Sequence, residues 1–207
     1  DDLGDIMLIG TEMAQLMKRR CGVGVDISNL RPSGMKVNNA ATSSSGAYSF
    51  ADYYSYITRM IGQKGRQGAL MVTMDILHPD SPFFATMKKD KMKVTGANVS
   101  LRIGNEFMEA VDKKKKVTLR WPLTGKPKDT REVDANSLFN IIVESAHQTG
   151  DPGLLMWDNI TKNLPAHFYD EFKTICTNPC AEIPLSAYDS CRLISLNLTA
   201  YVNAPFE

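Results

Sequence analysis

The sequence lacks the features that mark membrane-spanning, secreted and strongly nucleic-acid-binding proteins. Its 207 residues contain no apolar run near the roughly 20 residues that a membrane-spanning helix needs, and the N-terminus has no signal-peptide pattern. Its 24 basic and 23 acidic residues leave a formal net charge of +1, so no overall field favours nucleic acid or a lipid surface. We therefore expect a cytoplasmic protein without membrane or direct nucleic-acid partners.

Cysteine is also scarce. The chain has four cysteines, which are too few for a disulfide scaffold at this length and indicate a reducing compartment. Three of them, Cys176, Cys180 and Cys191, lie close together in the sequence, which indicates chemistry or a metal. Cys176 and Cys180 have a C-x₃-C spacing, but no second paired element follows. A zinc site is therefore the less favoured interpretation, and we expect no metal ligands.

The hydrophobic pattern predicts short strands that alternate with helices. Helices are predicted at residues 11–20, capped by Thr11, and at 49–61, 79–87, 105–112 and 136–148, the last of which ends at Gly150. Strands are predicted at 69–74, 97–103 and 117–121, with a shorter one inside 21–26. A long loop is expected at 31–46, a basic glycine-rich turn at 62–68, and a polar linker at 122–131. The alternation predicts an α/β fold with a largely parallel sheet or barrel.

The segment at residues 178–184 combines reactive side chains with two prolines. Pro179 and Pro184 favour an extended conformation for the residues before them, and side chains alternate faces in an extended chain. Asn178, Cys180 and Glu182 would then share one face. A thiol as nucleophile or radical carrier, a carboxylate as acid or base and an amide as orienter form a plausible catalytic set. The residues alone leave open an ordinary polar loop between prolines.

Residues 177–185, followed by 190–198, resemble the finger-loop signature of ribonucleotide reductase large subunits. The resemblance continues upstream in the order expected of that family, through the segments at 20–26, 30–34, 65–70, 78–80, 95–100, 106–108, 150–153 and 157–159. It therefore covers nearly the whole chain.

The resemblance implies a fold as well as a chemistry. We expect part of a ten-stranded α/β barrel with a central finger loop that carries the radical cysteine. Residues 1–207 would form a single partial catalytic barrel domain, namely the first half-barrel with the finger loop at about 176–192. Both chain ends are expected to be cuts through a longer protein that also contains the remaining half of the barrel and its phosphate-binding loop.

For catalysis, the resemblance implies that Cys180 carries a thiyl radical that removes the 3′-hydrogen of a ribonucleotide. Glu182 would take the proton of the 3′-hydroxyl, and Asn178 would hold the substrate hydroxyls. Cys191 matches one of two cysteines that reduce the 2′-position and become a disulfide. Its partner is expected a few residues before Asp1, so we expect the isolated chain to be inactive.

For binding, the resemblance implies two nucleotide sites. The substrate would contact Gly22, Asn178, Pro179, Cys180, Ala181 and Glu182. A dNTP or ATP effector would contact Asp1, Asp2, Leu3 and Arg31, and the loop at 88–98 would relay its identity to substrate choice. Gly22 suits a close approach of backbone to substrate because glycine has no Cβ.

The implied radical source is adenosylcobalamin, since residues 185–193 resemble cobalamin-dependent (class II) members more than those that use a dimetal-radical small subunit (class I). The expected partners are a thioredoxin-type reductant and, in the full enzyme, a second copy of the subunit. A rival hypothesis is a non-catalytic nucleotide-binding or assembly fragment of a split reductase. The sequence leaves open whether the substrate is a di- or triphosphate.

Overall fold

A computed structural model describes residues 1–38, 40–61, 65 and 67–203. Its strands are β1 (Gly22–Asp26), β2 (Ala69–Asp75), β3 (Asn98–Ile103), β4 (Lys116–Trp121), β5 (Asp129–Asp134), β6 (Gly153–Met156), β7 (Thr174–Thr177) and β8 (Pro184–Ser186). Its α-helices are α1 (Leu3–Lys18), α2 (Ala47–Met60), α3 (Ser81–Thr86), α4 (Asn105–Asp112), α5 (Ala135–Thr149) and α6 (Trp157–Asn163). Short 3₁₀ turns follow α3 and α6.

Four strands form the central sheet, in the order β1-β2-β3-β6, and all neighbouring pairs are parallel. Helices connect these strands, as parallel crossovers require. The predicted α/β fold with a parallel sheet is confirmed. Within the described residues this sheet is open, so the closed ten-stranded barrel stays a prediction.

The two faces of the sheet differ in chemistry. One face packs into the helical core and carries the apolar residues Leu70, Val72, Met74, Val99, Leu101 and Ile103. Because side chains alternate along a strand, the other face carries the intervening residues, among them Gly22, Gly24, Asp26, Thr73, Asp75, Asn98, Ser100 and Arg102. We call this second surface the polar face, and β7 packs against it at β1.

Helix α1 begins earlier than the sequence analysis placed it. The apolar stripe of the helix starts at Ile6, and Asp2 rather than Thr11 is the N-cap. The Asp2 carboxylate accepts the Gly4 N–H at 2.8 Å and the Asp5 N–H at 3.4 Å. These are backbone donors that the first turn of a helix leaves without partners, so the cap defines the start. Thr11 instead donates its hydroxyl to Met7 within the helix.

The predicted polar linker at 122–131 is wrong in its second part, because β5 begins at Asp129 and pairs antiparallel with β4. The sequence of β5 contains one apolar residue, Val133. Its strand conformation therefore comes from pairing with β4, whose Val117 and Leu119 are buried, rather than from its own pattern.

The remaining elements differ from the predictions mainly at their ends. Helix α4 has the predicted bounds, and α5 ends as predicted at Gly150, whose φ of +82° is the left-handed geometry that favours glycine. Strand β6 and helix α6 were not predicted. Of the predicted basic turn at 62–68, residues 62–64 and 66 lie outside the described residues. None of the helices that the structure describes is long and apolar enough to cross a bilayer.

Candidate active site

The reactive segment lies in the turn of an antiparallel hairpin formed by β7 and β8. We call residues 174–186 the cysteine hairpin. Asn178 closes its turn: its N–H donates to the Ile183 carbonyl at 3.2 Å, and its Oδ1 accepts the Ile183 N–H at 3.0 Å. The Ala181 N–H donates to the Asn178 carbonyl at 3.0 Å, so residues 178–181 form a tight turn.

The predicted extended conformation of this segment is therefore wrong. The fixed φ of Pro179 suits the second position of a tight turn as well as a strand, and the turn is completed by Ala181 at a φ of +71°. The alternation that was expected to put Asn178, Cys180 and Glu182 on one face does not hold through such a turn. Cys180 and Glu182 are exposed, while Asn178 is half-buried and uses its Oδ1 within the turn.

The turn contacts the polar face of the sheet at the first residues of β1 and β3. Asn98 Nδ2 donates to the Pro179 carbonyl at 2.8 Å. Gly22 lies directly below Pro179, because a Cβ built on Gly22 would sit 2.7 Å from the proline Cγ. The fold thus brings together two predicted substrate-binding residues, with the Pro179 ring packed closely on the Gly22 backbone.

The β7 arm of the hairpin is packed still more closely. A Cβ built on Gly24 would collide with the Thr177 carbonyl oxygen. Cys176 is buried, with its Sγ 3.4 Å from Thr73 Oγ1. Thr73 donates its single hydroxyl hydrogen to Asp26 at 2.8 Å, so the cysteine is the donor in its contact with Thr73. The arm therefore rests on β1 and β2.

The clustered cysteines fall into two chemical classes. Burial raises the pKa of Cys176 to about 12, which keeps this thiol protonated and unreactive. Cys180 and Cys191 are exposed. Cys191 follows the hairpin, in a segment without regular secondary structure. Among the described residues, no group of three or more His, Cys, Asp or Glu side chains could hold a metal ion.

Two of the predicted effector residues meet at the start of the chain. Arg31 donates through Nε to the Asp1 carboxylate at 2.9 Å, and its Nη2 lies 2.7 Å from the same carboxylate. Its guanidinium also lies 5.9 Å from the centre of the Trp121 ring. Asp2 caps α1, and Leu3 is 58% exposed. The structure therefore joins Asp1 to Arg31 and gives Asp2 a helix-capping role.

The loop at 88–98 contacts helix α2, Asp151 and the cysteine hairpin. Val94 N–H donates to Asp52 on α2 at 2.8 Å, and Lys88 pairs with Asp151 at 2.7 Å. The loop ends at Asn98, which donates to Pro179 in the turn. A cavity of about 380 Å³ opens beside this loop and is lined in part by Lys91 and Lys93.

Sequence reasoning missed the residues that seat the hairpin, namely Asn98, Asp26, Asp75 and Arg102. Arg102 pairs with both carboxylates and donates to the Ile175 carbonyl on β7 at 3.3 Å. The available signal was the strand alternation itself. A charged residue between apolar ones in a buried strand, as in Leu101-Arg102-Ile103, indicates a polar surface on the opposite face.

The chain belongs to the family described as the ribonucleotide reductase barrel domain, which it matches over residues 1–207.

Among curated proteins, the chain is 34% identical over 200 residues to the vitamin B12-dependent ribonucleoside-diphosphate reductase of Mycobacterium tuberculosis, across 96% of this chain and 28% of that protein. It is 33% identical over 204 residues to the protein of the same name from Thermoplasma acidophilum, across 98% of this chain and 26% of that protein. A vitamin B12-dependent ribonucleotide reductase of Rhodopirellula baltica is 30% identical over 229 residues, across 98% of this chain and 22% of that protein. The chain spans about a quarter of the length of these relatives.

Proposed function

We propose that this chain is a segment of the catalytic subunit of an adenosylcobalamin-dependent ribonucleotide reductase. The observation that supports it most is Cys180, an exposed thiol at the tip of a turn whose flanks are held against the sheet by Asn98 and Gly22. Membership of the barrel-domain family supports the assignment to a reductase subunit. A radical-bearing residue has to be reachable yet held in place, and an exposed residue in a pinned tight turn meets both needs.

In the proposed reaction, the Cys180 thiyl radical forms an S–H bond as the 3′ C–H bond of the ribose breaks. Glu182, which is exposed two residues further along the chain, would accept the proton of the 3′-hydroxyl. Asn178 uses its Oδ1 in the turn, so its Nδ2 hydrogens are the ones that would donate to the substrate hydroxyls. Gly22, Pro179 and Ala181 would supply the close backbone surface on which the substrate lies.

Cleavage of the 2′ C–O bond releases water, a 2′ C–H bond forms in its place, and the exchange requires two electrons and two protons. We assign one of the two reducing thiols to Cys191, which with a second cysteine becomes a disulfide. Its exposure suits reduction by a thioredoxin-type protein. The hydrogen held by Cys180 then returns to the 3′-carbon and regenerates the thiyl radical.

Adenosylcobalamin, when bound, supplies the radical. The fit rests on the exposure of the Cys180 thiol, which leaves it open to an external cofactor. The names of the relatives, each vitamin B12-dependent, favour this cofactor over the class I alternative of a dimetal-radical small subunit. The contribution of this chain would be the thiol that the cofactor oxidises rather than a ligand to the cobalt.

The wider assembly is also a proposal. We expect residues 1–207 to form the first part of the ten-stranded barrel, with the cysteine hairpin as its finger loop and the free edge of β6 open to the remaining half. A dNTP or ATP effector would bind at Asp1, Asp2, Leu3 and Arg31, where its phosphates would share the Arg31 guanidinium with Asp1. The exposed apolar residues Leu3, Met7 and Leu8 on α1 support a homodimer contact in the full enzyme.

Reconstitution tests the reaction and the cofactor together. A chain extended N-terminally to include the expected second reducing cysteine is combined with the remaining half of the barrel, a ribonucleotide, an effector and a dithiol. Deoxyribonucleotide formation is then measured with adenosylcobalamin or with a dimetal-radical protein. We expect turnover with adenosylcobalamin and none with the dimetal-radical protein. Turnover only with the dimetal protein would overturn the cofactor assignment. Nucleotide binding without turnover under either condition would instead favour a non-catalytic nucleotide-binding or assembly fragment.

A further inference from the structure

A buried ionic cluster lies between the parallel sheet and the β7 arm of the cysteine hairpin. Its cation is Arg102 on β3, whose side chain is only 12% exposed. Its anions are Asp26 on β1 and Asp75 on β2, with side chains 6% and 22% exposed. Burying these charged side chains costs desolvation free energy, so a buried ion pair in a strand indicates a role other than overall stability.

Arg102 contacts four different elements through one guanidinium. Its Nε lies 3.3 Å from Asp26 Oδ2, as an ion pair outside hydrogen-bond geometry, and its Nη2 lies 3.5 Å from Asp75 Oδ2. The guanidinium also stacks 4.8 Å from the centre of the Trp157 ring on α6. Its Nη1 donates to the Ile175 carbonyl in the hairpin at 3.3 Å.

The carboxylates are held to the sheet without help from the hairpin. Asp26 accepts the N–H and the hydroxyl of Ser28, both at 3.1 Å, and the Thr73 hydroxyl at 2.8 Å. Asp75 accepts the Leu77 N–H at 2.9 Å. The sheet side of the cluster is therefore preassembled, and Arg102 is the charged member that reaches the hairpin.

We propose that Arg102 is a positioning residue that fixes the β7 arm of the cysteine hairpin on the sheet, and through it the turn that bears Cys180. A planar guanidinium with donors on three nitrogens can serve two carboxylates, an aromatic ring and a carbonyl at once. The point charge of lysine cannot reproduce that arrangement. The docking role stands on this geometry, and only its importance for catalysis rests on the proposed function.

The chain carries its own reporter of hairpin docking. Cys176 is 6% exposed between β7 and the sheet, whereas the other three cysteines are exposed. A chain in which Cys21, Cys180 and Cys191 are replaced by serine therefore has one protected thiol. The rate at which a small maleimide labels Cys176 measures how often the arm lifts from the sheet.

In that background, Arg102→Lys is expected to raise the rate of Cys176 labelling by about tenfold. Loss of the guanidinium contacts lets the β7 arm lift from the sheet more often. At low urea concentrations, the labelling rate should rise only slightly as urea is added, because local opening of the arm exposes little surface. Trp157→Leu removes the stacked ring but keeps the ion pairs, and an intermediate increase is expected. This variant decides the question if Arg102→Lys does not fold, as judged by circular dichroism.

Arg131→Lys is the matched control. Arg131 is another strand arginine paired with an aspartate, and its guanidinium lies 2.9 Å from Asp129 on the same strand, β5. Its labelling rate should equal that of the parent. The proposal is overturned if Arg102→Lys and Trp157→Leu label no faster than Arg131→Lys. It is also overturned if the acceleration has the full urea dependence of global unfolding, since Arg102 would then act on overall stability alone. Neither result bears on whether the assembled enzyme reduces ribonucleotides, which the reconstitution measures separately.

Discussion

At the scale of single residues, His78 has a structural role that its position in the sequence does not reveal. Its side chain is fully buried, and Nδ1 accepts the Asp80 N–H at 3.0 Å. Nε2 therefore carries the proton and donates to the Leu30 carbonyl at 2.9 Å. The Asp80 carboxylate accepts N–H groups of Ser33 and Ala47. Together these contacts close the base of the long loop at 31–46.

This arrangement predicts an acid-sensitive fold. Burial lowers the pKa of His78 from its ordinary value of 6.5, so the unfolded chain takes up the proton more readily than the folded one. The stability that neutral His78 contributes is fully present above about pH 6.5 and is lost as the pH falls from there towards the lower folded-state pKa. In urea titrations, we expect the free energy of unfolding to fall between about pH 7 and pH 5, and to fall less in His78→Gln.

The control for that measurement is His147→Gln, which changes an exposed histidine near the end of α5. It should keep the parent's dependence on pH. If His78→Gln keeps that dependence as well, His78 is not the group that links acid to unfolding.

At the scale of secondary-structure elements, the cysteine hairpin depends on the absence of side chains beneath it. A Cβ on Gly24 would collide with the Thr177 carbonyl, so Gly24→Ala should lift the β7 arm. We expect Gly24→Ala to lower the free energy of unfolding by about 1–3 kcal/mol, the usual cost of overpacking. It should also speed labelling of Cys176.

Gly104→Ala is a matched comparison, because a Cβ there would lie an ordinary 3.5 Å from the Asp158 carboxylate. Urea unfolding of the two variants should therefore separate close approach from the general effect of adding a methyl group. Equal losses in both would show that the hairpin tolerates a Cβ at Gly24.

Local sequence rules predicted elements where one segment determines its own structure. Helix α4 has the predicted bounds because its sequence carries the helical period by itself. Strand β5 was missed because it has one apolar residue and depends on pairing with β4. The turn at 178–181 was mistaken for an extended segment because the proline rules ignore the bond from Ile183 back to the Asn178 side chain.

The candidate site shows the same division between local and distant information. Cys180 and Glu182 were identified from a short motif, since that motif is contiguous in the chain. Arg102 was missed because its partners lie on β1, β2 and β7, the last 73 residues away. Such a cluster exists only once the parallel sheet has brought these strands together.

At the scale of the whole molecule, the chain is a self-consistent α/β unit with one polar face that carries the cysteine hairpin. Strand β6 lies at an edge of the sheet. In the segment after the hairpin, Leu193 and Ile194 are 86% and 88% exposed, which leaves apolar surface for further elements to cover. These features agree with a segment that spans about a quarter of its relatives' length.

The most direct measurement of the central claim compares two cysteines four residues apart in an assembled reductase that contains this chain. Cys180→Ser should abolish deoxyribonucleotide formation, because serine has no thiol to carry the radical, and should leave nucleotide binding intact. Cys176→Ser should retain most of the activity, because the buried Cys176 thiol is a packing group against Thr73. Full activity in Cys180→Ser would contradict the assignment of Cys180 as the radical-bearing residue.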